Sequence, residues 1–168
     1  METVRAGRAD AVSPDEYKKQ WKTVVGHLKT LCKYAEKKGR QVCLEPLNRF
    51  ETDFLNTTDQ CLKLIKAVGA KNVKAHLDTF HMNIEETDFR TPVLAAGDRL
   101  GYVHIGESNR GYLGQGTIDF PEFFGALAEI GYAGDITFES FSSLVVDDQL
   151  AVGMYALGGR PQERERVF

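Results

Sequence analysis

Apolar residues recur along this chain in two alternating patterns. In the first they return every three or four positions, as in Tyr17, Trp21, Val24 and Leu28, which is the spacing of one helix face. In the second they form short continuous runs bounded by glycine or proline, which are too brief for helices and indicate buried strands. The alternation predicts the order α-β-α-β-α-β-α-β.

Capping and stop signals delimit the predicted helices. Ser13, followed by Pro14 and Glu16, is typical of a helix start, and Thr57 with Gln60 has the spacing of a second capping box. We expect helices between residues 13 and 39, 57 and 69, 87 and 96, and 119 and 131. The strands are expected near residues 41–46, 73–78, 100–106 and 135–139.

Short, continuously apolar strands that alternate with helices predict a parallel sheet covered by helices. This α/β pattern fits a doubly wound sheet or part of a (β/α)8 barrel. None of the strands is followed by G-x-G-x-x-G, so the sequence does not support a dinucleotide site. The 168 residues are expected to form a single domain.

Each predicted strand carries one metal-competent side chain at or near its carboxyl end. These side chains are Glu45, Asp78, His104 and Glu139. The carboxyl ends of parallel strands form the active-site face of such folds. A charge placed there costs several kcal/mol of desolvation unless it is paired or metal-bound, so four such placements predict a metal site.

Three carboxylates and one imidazole suit a hard or borderline divalent ion such as Mn²⁺ or Mg²⁺ better than a structural zinc site. Four protein ligands leave two positions of an octahedral ion for adjacent substrate oxygens. Two of the carboxylates could also act as acid and base. The set therefore predicts proton abstraction next to a carbonyl, with the metal holding the enediolate.

Each of these residues taken alone also has a structural interpretation. A single acid is more often a strand-end cap or a solvated loop residue, and a single histidine is more often a satisfied core residue. His76 is interpreted as structural and facing the helices. The glycines at 111, 114 and 116 indicate a flexible loop that could shape a lid.

The composition of the chain limits the classes of molecule that it is expected to bind. The net charge of -3 provides no basic surface for nucleic acid, which argues against metal-assisted phosphodiester cleavage. The sequence contains no apolar run approaching the ~20 residues that cross a bilayer. Three cysteines without C-x-x-C spacing are typical of a reduced, cytoplasmic protein.

Four strings carry a resemblance to a known family: LEPLNRFETDFLNT, HLDTFHMNIEE, HIGESNR and TFESF. They resemble the ketose 3-epimerases of the D-tagatose/D-psicose (allulose) type, sugar isomerases and epimerases with xylose-isomerase-like TIM barrels. The similarity runs from about residue 15 to residue 143. Because a complete barrel has eight strands and roughly 250 residues, the resemblance implies that this chain is the C-terminal half.

The resemblance also implies roles. Glu45, Asp78, His104 and Glu139 would bind Mn²⁺, or Mg²⁺ or Co²⁺, and the two glutamates would face each other across C3 of a ketose. Three further residues would bind the substrate, Glu51 near the carbonyl end and His81 and Arg110 around C1 and C2.

One position departs from the family. Ser140 stands where characterised epimerases commonly have proline, in FESF instead of MEPF. The metal ligand before it, Glu139, is kept. The change is interpreted as a loop difference that leaves the metal ligands unaffected, and it leaves the sugar preference open.

A half-barrel exposes two parallel sheet edges. Two copies could close one barrel, the half could pair with a separately encoded half, or it could be a fragment of a longer gene product. Of these we expect the first, a homo-oligomer. Residues 155–168 are polar and charged and are expected to be a frayed tail. Two alternative functions remain open. One is a catalytically incomplete fragment that binds a divalent metal, and the other is a related isomerase such as hydroxypyruvate isomerase.

Overall fold

A computed structural model describes residues 12–141. Helices and parallel strands alternate along this part of the chain, and a 3₁₀ turn, Gly97–Arg99, precedes the third strand. The helices are α1 (Pro14–Glu36), α2 (Thr58–Val68), α3 (Thr79–Glu85), α4 (Arg90–Ala96) and α5 (Phe120–Glu129), and the strands are β1 (Val42–Leu44), β2 (Val73–Asp78), β3 (Leu100–Ile105) and β4 (Ile136–Phe138).

The four strands form one parallel sheet in the order β1-β2-β3-β4. This confirms the predicted parallel α/β architecture. The register pairs Asp78 with His104 and His104 with Thr137, so neighbouring strands end at nearly the same level. The two outer strands are three residues long, shorter than the predicted 41–46 and 135–139.

A short helix that the sequence analysis did not predict follows β2 without any loop. Asp78 is the last residue of β2 and also the N-cap of α3, since its Oδ1 accepts a hydrogen bond from Phe80 N–H at 2.8 Å. The helix predicted over 87–96 is present as α4 and begins three residues later. The strand therefore turns directly into a helix at the edge where the metal ligands are predicted.

Two buried apolar clusters join the sheet to its helices. One contains Val73 and Ala75 of β2 with Ile65 of α2, and α1 packs against it. The other contains Leu77 of β2 and Phe123 of α5. Because odd-numbered residues of β2 face these clusters, its even-numbered residues face the opposite side of the sheet.

The loop between β3 and α5 is organised around one carboxylate. Glu107 is fully buried, and its oxygens accept hydrogen bonds from the N–H groups of Ser108 and Gly114, both at 2.9 Å. Burial works to raise the pKa of Glu107, but main-chain donors, including those of Gly116 and Ile118, outweigh it and hold the pKa below its ordinary value. The loop was interpreted as flexible from its glycines, but hydrogen bonds from its own main chain to the buried Glu107 carboxylate hold it in place.

Between residues 12 and 141, no helix combines the length and apolar character that crossing a membrane requires. The three cysteines are free. The predicted frayed tail, 155–168, lies outside the described residues.

Two adjacent phenylalanines of α5 test the assignment of the core. Phe123 is fully buried, whereas Phe124 is 40% exposed. We expect Phe123→Ala to lower the free energy of unfolding by ~3–5 kcal/mol because it leaves a cavity, and Phe124→Ala to lower it by less than ~1 kcal/mol. Urea denaturation measures both, and equal losses would contradict the assignment.

The buried carboxylate of Glu107 gives a pH-dependent prediction. In Glu107→Gln, an accepting oxygen is replaced by an amide NH₂ that faces the N–H donors of the loop. The substitution should therefore lower the free energy of unfolding by ~1–3 kcal/mol at neutral pH. Because the folded state lowers the pKa of Glu107, its stabilisation is complete above the ordinary glutamate value and is lost as pH falls through the folded value. Unfolding free energies of wild type and variant should therefore converge below pH ~4.

The matched control for this experiment is Glu129→Gln. Glu129 is on the surface and pairs with Arg90 at 2.6 Å. Loss of this surface ion pair should lower the free energy of unfolding by ~0–1 kcal/mol. A Glu107→Gln effect no larger than that of the control at pH 7 would refute the role of Glu107 in holding the loop.

Candidate metal centre

The carboxyl ends of the four strands deliver the four predicted ligands to one side of the sheet. Glu45 comes one residue after the end of β1, Asp78 is the last residue of β2, His104 is the next to last of β3, and Glu139 directly follows β4. Side chains alternate along a strand, and Asp78 pairs with His104, which pairs with Thr137. Asp78, His104 and Glu139 therefore point to the same face.

The donor atoms of these four residues converge. One ligand atom from each lies within 4.8 Å of the others. Nδ1 of His104 lies 3.3 Å from Glu139 Oε2, 3.8 Å from Glu45 Oε1 and 4.0 Å from Asp78 Oδ2. This nitrogen is buried and has no hydrogen-bond partner among the described residues. An unpartnered imidazole nitrogen surrounded by three carboxylates fits a divalent cation.

Burial and the crowding of three carboxylates together set the electrostatics of the site. Burial, followed by the charges of Asp78 and Glu139, raises the pKa of Glu45 to about 8. Burial, and after it the hydrogen bond with Glu139, also raises the pKa of Asp78. Burial works in the same direction on Glu139, but its hydrogen bond with Asp78 and the charge of Arg110 outweigh burial and lower its pKa. Positive charge is needed for all three carboxylates to ionise together.

The three carboxylates differ in access. The side chain of Asp78 is fully buried, whereas those of Glu45 and Glu139 are 27% and 26% exposed. The two glutamates thus border the open side of the centre. A molecule approaching from that side reaches them and not Asp78.

Arg110 supplies positive charge to the site. Its Nη1 donates to Asp78 Oδ2 at 3.0 Å and to Glu139 Oε2 at 2.7 Å. The guanidinium carbon lies 4.0 Å from the ring centroid of Phe80 and 4.9 Å from that of Phe141. The backbone of Arg110 has φ of 56°, a left-handed conformation in which the surrounding structure must hold a side chain.

Ser140 is one of the groups that hold Arg110. It is buried, and its hydroxyl donates to the main-chain carbonyl of Arg110, which also accepts from Phe141 N–H at 3.1 Å. A proline at this position would lack the hydroxyl. The departure from the family at this position therefore adds a contact to Arg110 rather than to the metal ligands.

His81 and Glu51 connect to the centre through a residue that the sequence analysis did not single out, Asn48. The main-chain N–H of Asn48 donates to His81 Nδ1 at 3.2 Å, and its side-chain amide donates to Glu51 Oε1 at 2.7 Å. The side-chain amide of Asn48 also lies 2.9 Å from Nδ1, so two donors face this nitrogen and it is the acceptor. The ring proton of neutral His81 therefore lies on Nε2, and the contact of Nε2 with Arg110 Nη2 at 3.3 Å is not a hydrogen bond. Burial and the charge of Arg110 lower the pKa of His81 to about 4, which keeps it neutral.

The interpretation of His76 as facing the helices is wrong. His76 is two positions before Asp78 on β2, so its side chain points to the same face as the metal ligands. Its ring centroid lies 4.2 Å from that of His104, and its Nδ1 lies 3.6 Å from Glu45 Oε2. Alternation of side chains along the strand, counted from Asp78, would have predicted that His76 points to this face.

Comparison with known proteins agrees with this geometry. Residues 3–156 match the family described as xylose isomerase-like TIM barrel. An L-ribulose 3-epimerase from Methylomonas sp. (strain DH-1) is 54% identical over 127 residues, which are 76% of this chain and 44% of that protein. A ketose 3-epimerase from Arthrobacter globiformis is 53% identical over 113 residues, 67% of this chain and 39% of that protein.

A solved structure is similar over most of the chain. The crystal structure of a D-allulose 3-epimerase from Methylomonas sp. in complex with D-allulose matches 89% of this chain and 51% of its own, with a TM-score of 0.78 and 47% identity. This chain thus spans about half the length of its relatives, and its four parallel strands correspond to half of a barrel. The resemblance to ketose 3-epimerases is confirmed, and the chain belongs to the xylose isomerase-like TIM barrel family.

Proposed function

We propose that this chain carries the metal and acid–base centre of a ketose 3-epimerase. The observation that supports this most directly is the convergence of Glu45, Asp78, His104 and Glu139 at the carboxyl edge of the sheet. The relatives that it matches are named L-ribulose and ketose 3-epimerases. The sugar itself and the whole activity are part of the proposal, since the chain spans about half of each relative.

The four side chains would hold one divalent cation. Three carboxylates with one imidazole favour Mn²⁺, with Mg²⁺ and Co²⁺ as alternatives. When bound, such an ion polarises a carbonyl oxygen as a Lewis acid. Asp78 is sealed from solvent and serves only to hold the ion, while the two glutamates remain open to substrate.

Glu45 and Glu139 are the proposed acid–base pair. Their partly exposed carboxylates border the same opening from opposite edges of the sheet, β1 and β4. One carboxylate removes the proton from the carbon next to the ketose carbonyl, and the other returns a proton to the opposite face. Inversion at that carbon requires two groups placed on two sides, which a pair from opposite edge strands provides.

Three residues are proposed to position the ketose. Arg110 presents its guanidinium beside Glu139, and neutral His81 carries its proton on Nε2, beside the same guanidinium at 3.3 Å. Both can therefore donate to oxygens around C1 and C2. Glu51 is exposed and held by Asn48, which suits a contact with a hydroxyl at the carbonyl end of the sugar.

A second candidate is a half-barrel that binds a divalent metal without turnover. The observation that favours it is length, because this chain spans 44% of the L-ribulose 3-epimerase that it matches. A related isomerase, such as hydroxypyruvate isomerase, would use the same cation with a different substrate.

We propose that the half-barrel is closed by self-association of two copies of this chain. Among the described residues, β1 and β4 each pair with one strand only. Asp135 and Glu139 make their main-chain hydrogen bonds to β3, so the main-chain groups of the alternate residues, Ile136 and Phe138, point to the open edge. A second copy would place its β1 beside this β4.

Substitution of the two glutamates tests the catalytic proposal. The chain is incubated with Mn²⁺ and D-fructose, D-tagatose or D-ribulose in D₂O, and the sugars are separated and examined for deuterium at C3. We expect a new epimer carrying deuterium with the wild type. Glu45→Gln and Glu139→Gln should each lower the rate by at least ~10²-fold because each removes a proton-transfer group.

The matched control is Glu36→Gln, because Glu36 is exposed at the end of α1, before β1 begins, whereas Glu45 and Glu139 follow the carboxyl ends of strands. It should leave the rate unchanged. Calorimetry with Mn²⁺ separates the candidates: metal binding without a new epimer from any ketose would support the non-catalytic half-barrel. An epimer formed equally fast by Glu139→Gln would refute the acid–base assignment.

Blocking the open edge of β4 tests self-association. Ile136→Pro removes an N–H that points away from β3 and should leave the β3–β4 hydrogen bonds intact. We expect the wild type and the control Ile136→Val to sediment as dimers at micromolar concentration, and Ile136→Pro to sediment as a monomer. A clean wild-type monomer at that concentration would contradict the proposal.

A further inference from the structure

We propose that Glu45, His76 and His104 form a second metal site that selects ions preferring nitrogen ligands, such as Zn²⁺. It lies one layer deeper in the barrel interior than the four-residue centre and shares two ligands with it. The inference rests on the proposed function only in treating the four-residue set as the Mn²⁺ site. The occupant of the second site would be an inhibitory ion.

The geometry of the three side chains supports this site. One donor atom from each lies within 4.8 Å of the other two. His76 Nδ1 is 3.6 Å from Glu45 Oε2, and His104 Nδ1 is 3.8 Å from Glu45 Oε1, so the two oxygens of Glu45 face the two rings. The rings meet edge to face, with centroids 4.2 Å apart and an interplanar angle of 88°.

Hydrogen bonding does not account for these two histidines. His76 is 93% buried, with 7% of its surface exposed, and its Nε2 has no partner among residues 12–141. The same holds for Nδ1 of His104. A buried polar atom left without a partner costs ~1–3 kcal/mol. An ion bound between His104 Nδ1 and the Glu45 carboxylate would satisfy the His104 atom, and His76 would ligate it through Nδ1, the nitrogen that faces Glu45.

The two ligand sets differ in chemistry. The four-residue centre, called the upper set, has three carboxylates and one imidazole, which favours Mn²⁺ or Mg²⁺. The second site of Glu45, His76 and His104, called the lower set, has two imidazoles and one carboxylate. This combination binds zinc in catalytic zinc sites, with water as the fourth ligand. The position of His76 on β2, two residues before Asp78, is what creates the second set.

Occupation of the two sites is mutually exclusive. A neutral imidazole has one nitrogen with a free lone pair, so His104 can ligate one ion at a time. An ion held with His76 therefore removes His104 from the upper set. Zn²⁺ should displace Mn²⁺ while binding one layer below it.

The test uses two ions and substitutions in the two sets. Zn²⁺ binding is measured by calorimetry, and Mn²⁺ binding by electron paramagnetic resonance, on the wild type, His76→Phe and Asp78→Asn. Loss of an outer-shell partner already costs ~10–100-fold in metal affinity, so loss of a direct ligand should cost at least ~10-fold. His76→Phe should thus weaken Zn²⁺ but not Mn²⁺, and Asp78→Asn should weaken Mn²⁺ more than Zn²⁺.

Controls separate this result from unfolding. His27, which is exposed on α1, supplies the matched variant His27→Phe, which should bind both ions like the wild type. Phenylalanine at 76 keeps a ring against Tyr102 and His104. Circular dichroism verifies folding, and Glu139→Gln replaces Asp78→Asn if the latter does not fold.

Four outcomes decide between the second site and its alternatives. Opposite ion preferences of the two variants would support the second site. A parallel loss of both ions in His76→Phe would show that His76 only positions Glu45, and unchanged Zn²⁺ affinity would place zinc in the upper set; either result overturns the proposal. If the wild type bound Zn²⁺ through His76 but no Mn²⁺, the proposed function would fail and this site would stand.

Discussion

Repulsion among three carboxylates at the carboxyl edge of a parallel sheet is the constraint that shapes the rest of this structure. Parallel strands end at nearly the same level, so Glu45, Asp78 and Glu139 are brought within a few ångströms of one another. Burial, and after it this crowding, raises the pKa of Glu45 and of Asp78. A protein that placed these groups together without a source of positive charge would lose stability.

The loop after β3 is built to meet that constraint. The guanidinium of Arg110 reaches two of the carboxylates between two aromatic rings, while its backbone adopts a conformation unusual for a residue with a side chain. The Glu107 carboxylate gathers the main-chain donors of the loop, and the hydroxyl of Ser140 fixes the Arg110 carbonyl. The cost of the strained backbone, ~1–3 kcal/mol, is thus distributed over contacts made on both sides of the site.

Much of the centre could be predicted from sequence because it depends on the simplest regularity of the fold. Apolar runs ending in a charged residue locate strand ends, and parallel topology brings those ends together, so the four converging donors follow from pattern alone. Helix α3 could not be found in this way, because Asp78 ends a strand and caps a helix at once. His76 was misplaced although strict alternation from Asp78 gives its face.

The supporting contacts lay beyond sequence reasoning for a different reason. Asn48 and Glu107 act through main-chain N–H groups of loops, where no period relates the partners. Glu107 accepts from Gly114, seven residues later, and a Cβ at Gly116 would lie 2.0 Å from its Oε2. The glycines were visible in the sequence, but their purpose, which is to let a backbone approach a buried carboxylate, depends on coordinates.

All four converging donors come from one contiguous segment between Glu45 and Glu139, within a sheet of four strands. The chemistry of the centre is therefore separable from whatever completes the barrel around it. Different complementary halves would place different walls over the same four donors. Recombination of half-barrels, rather than gradual substitution around the ion, would be an economical way for such a scaffold to acquire new substrates.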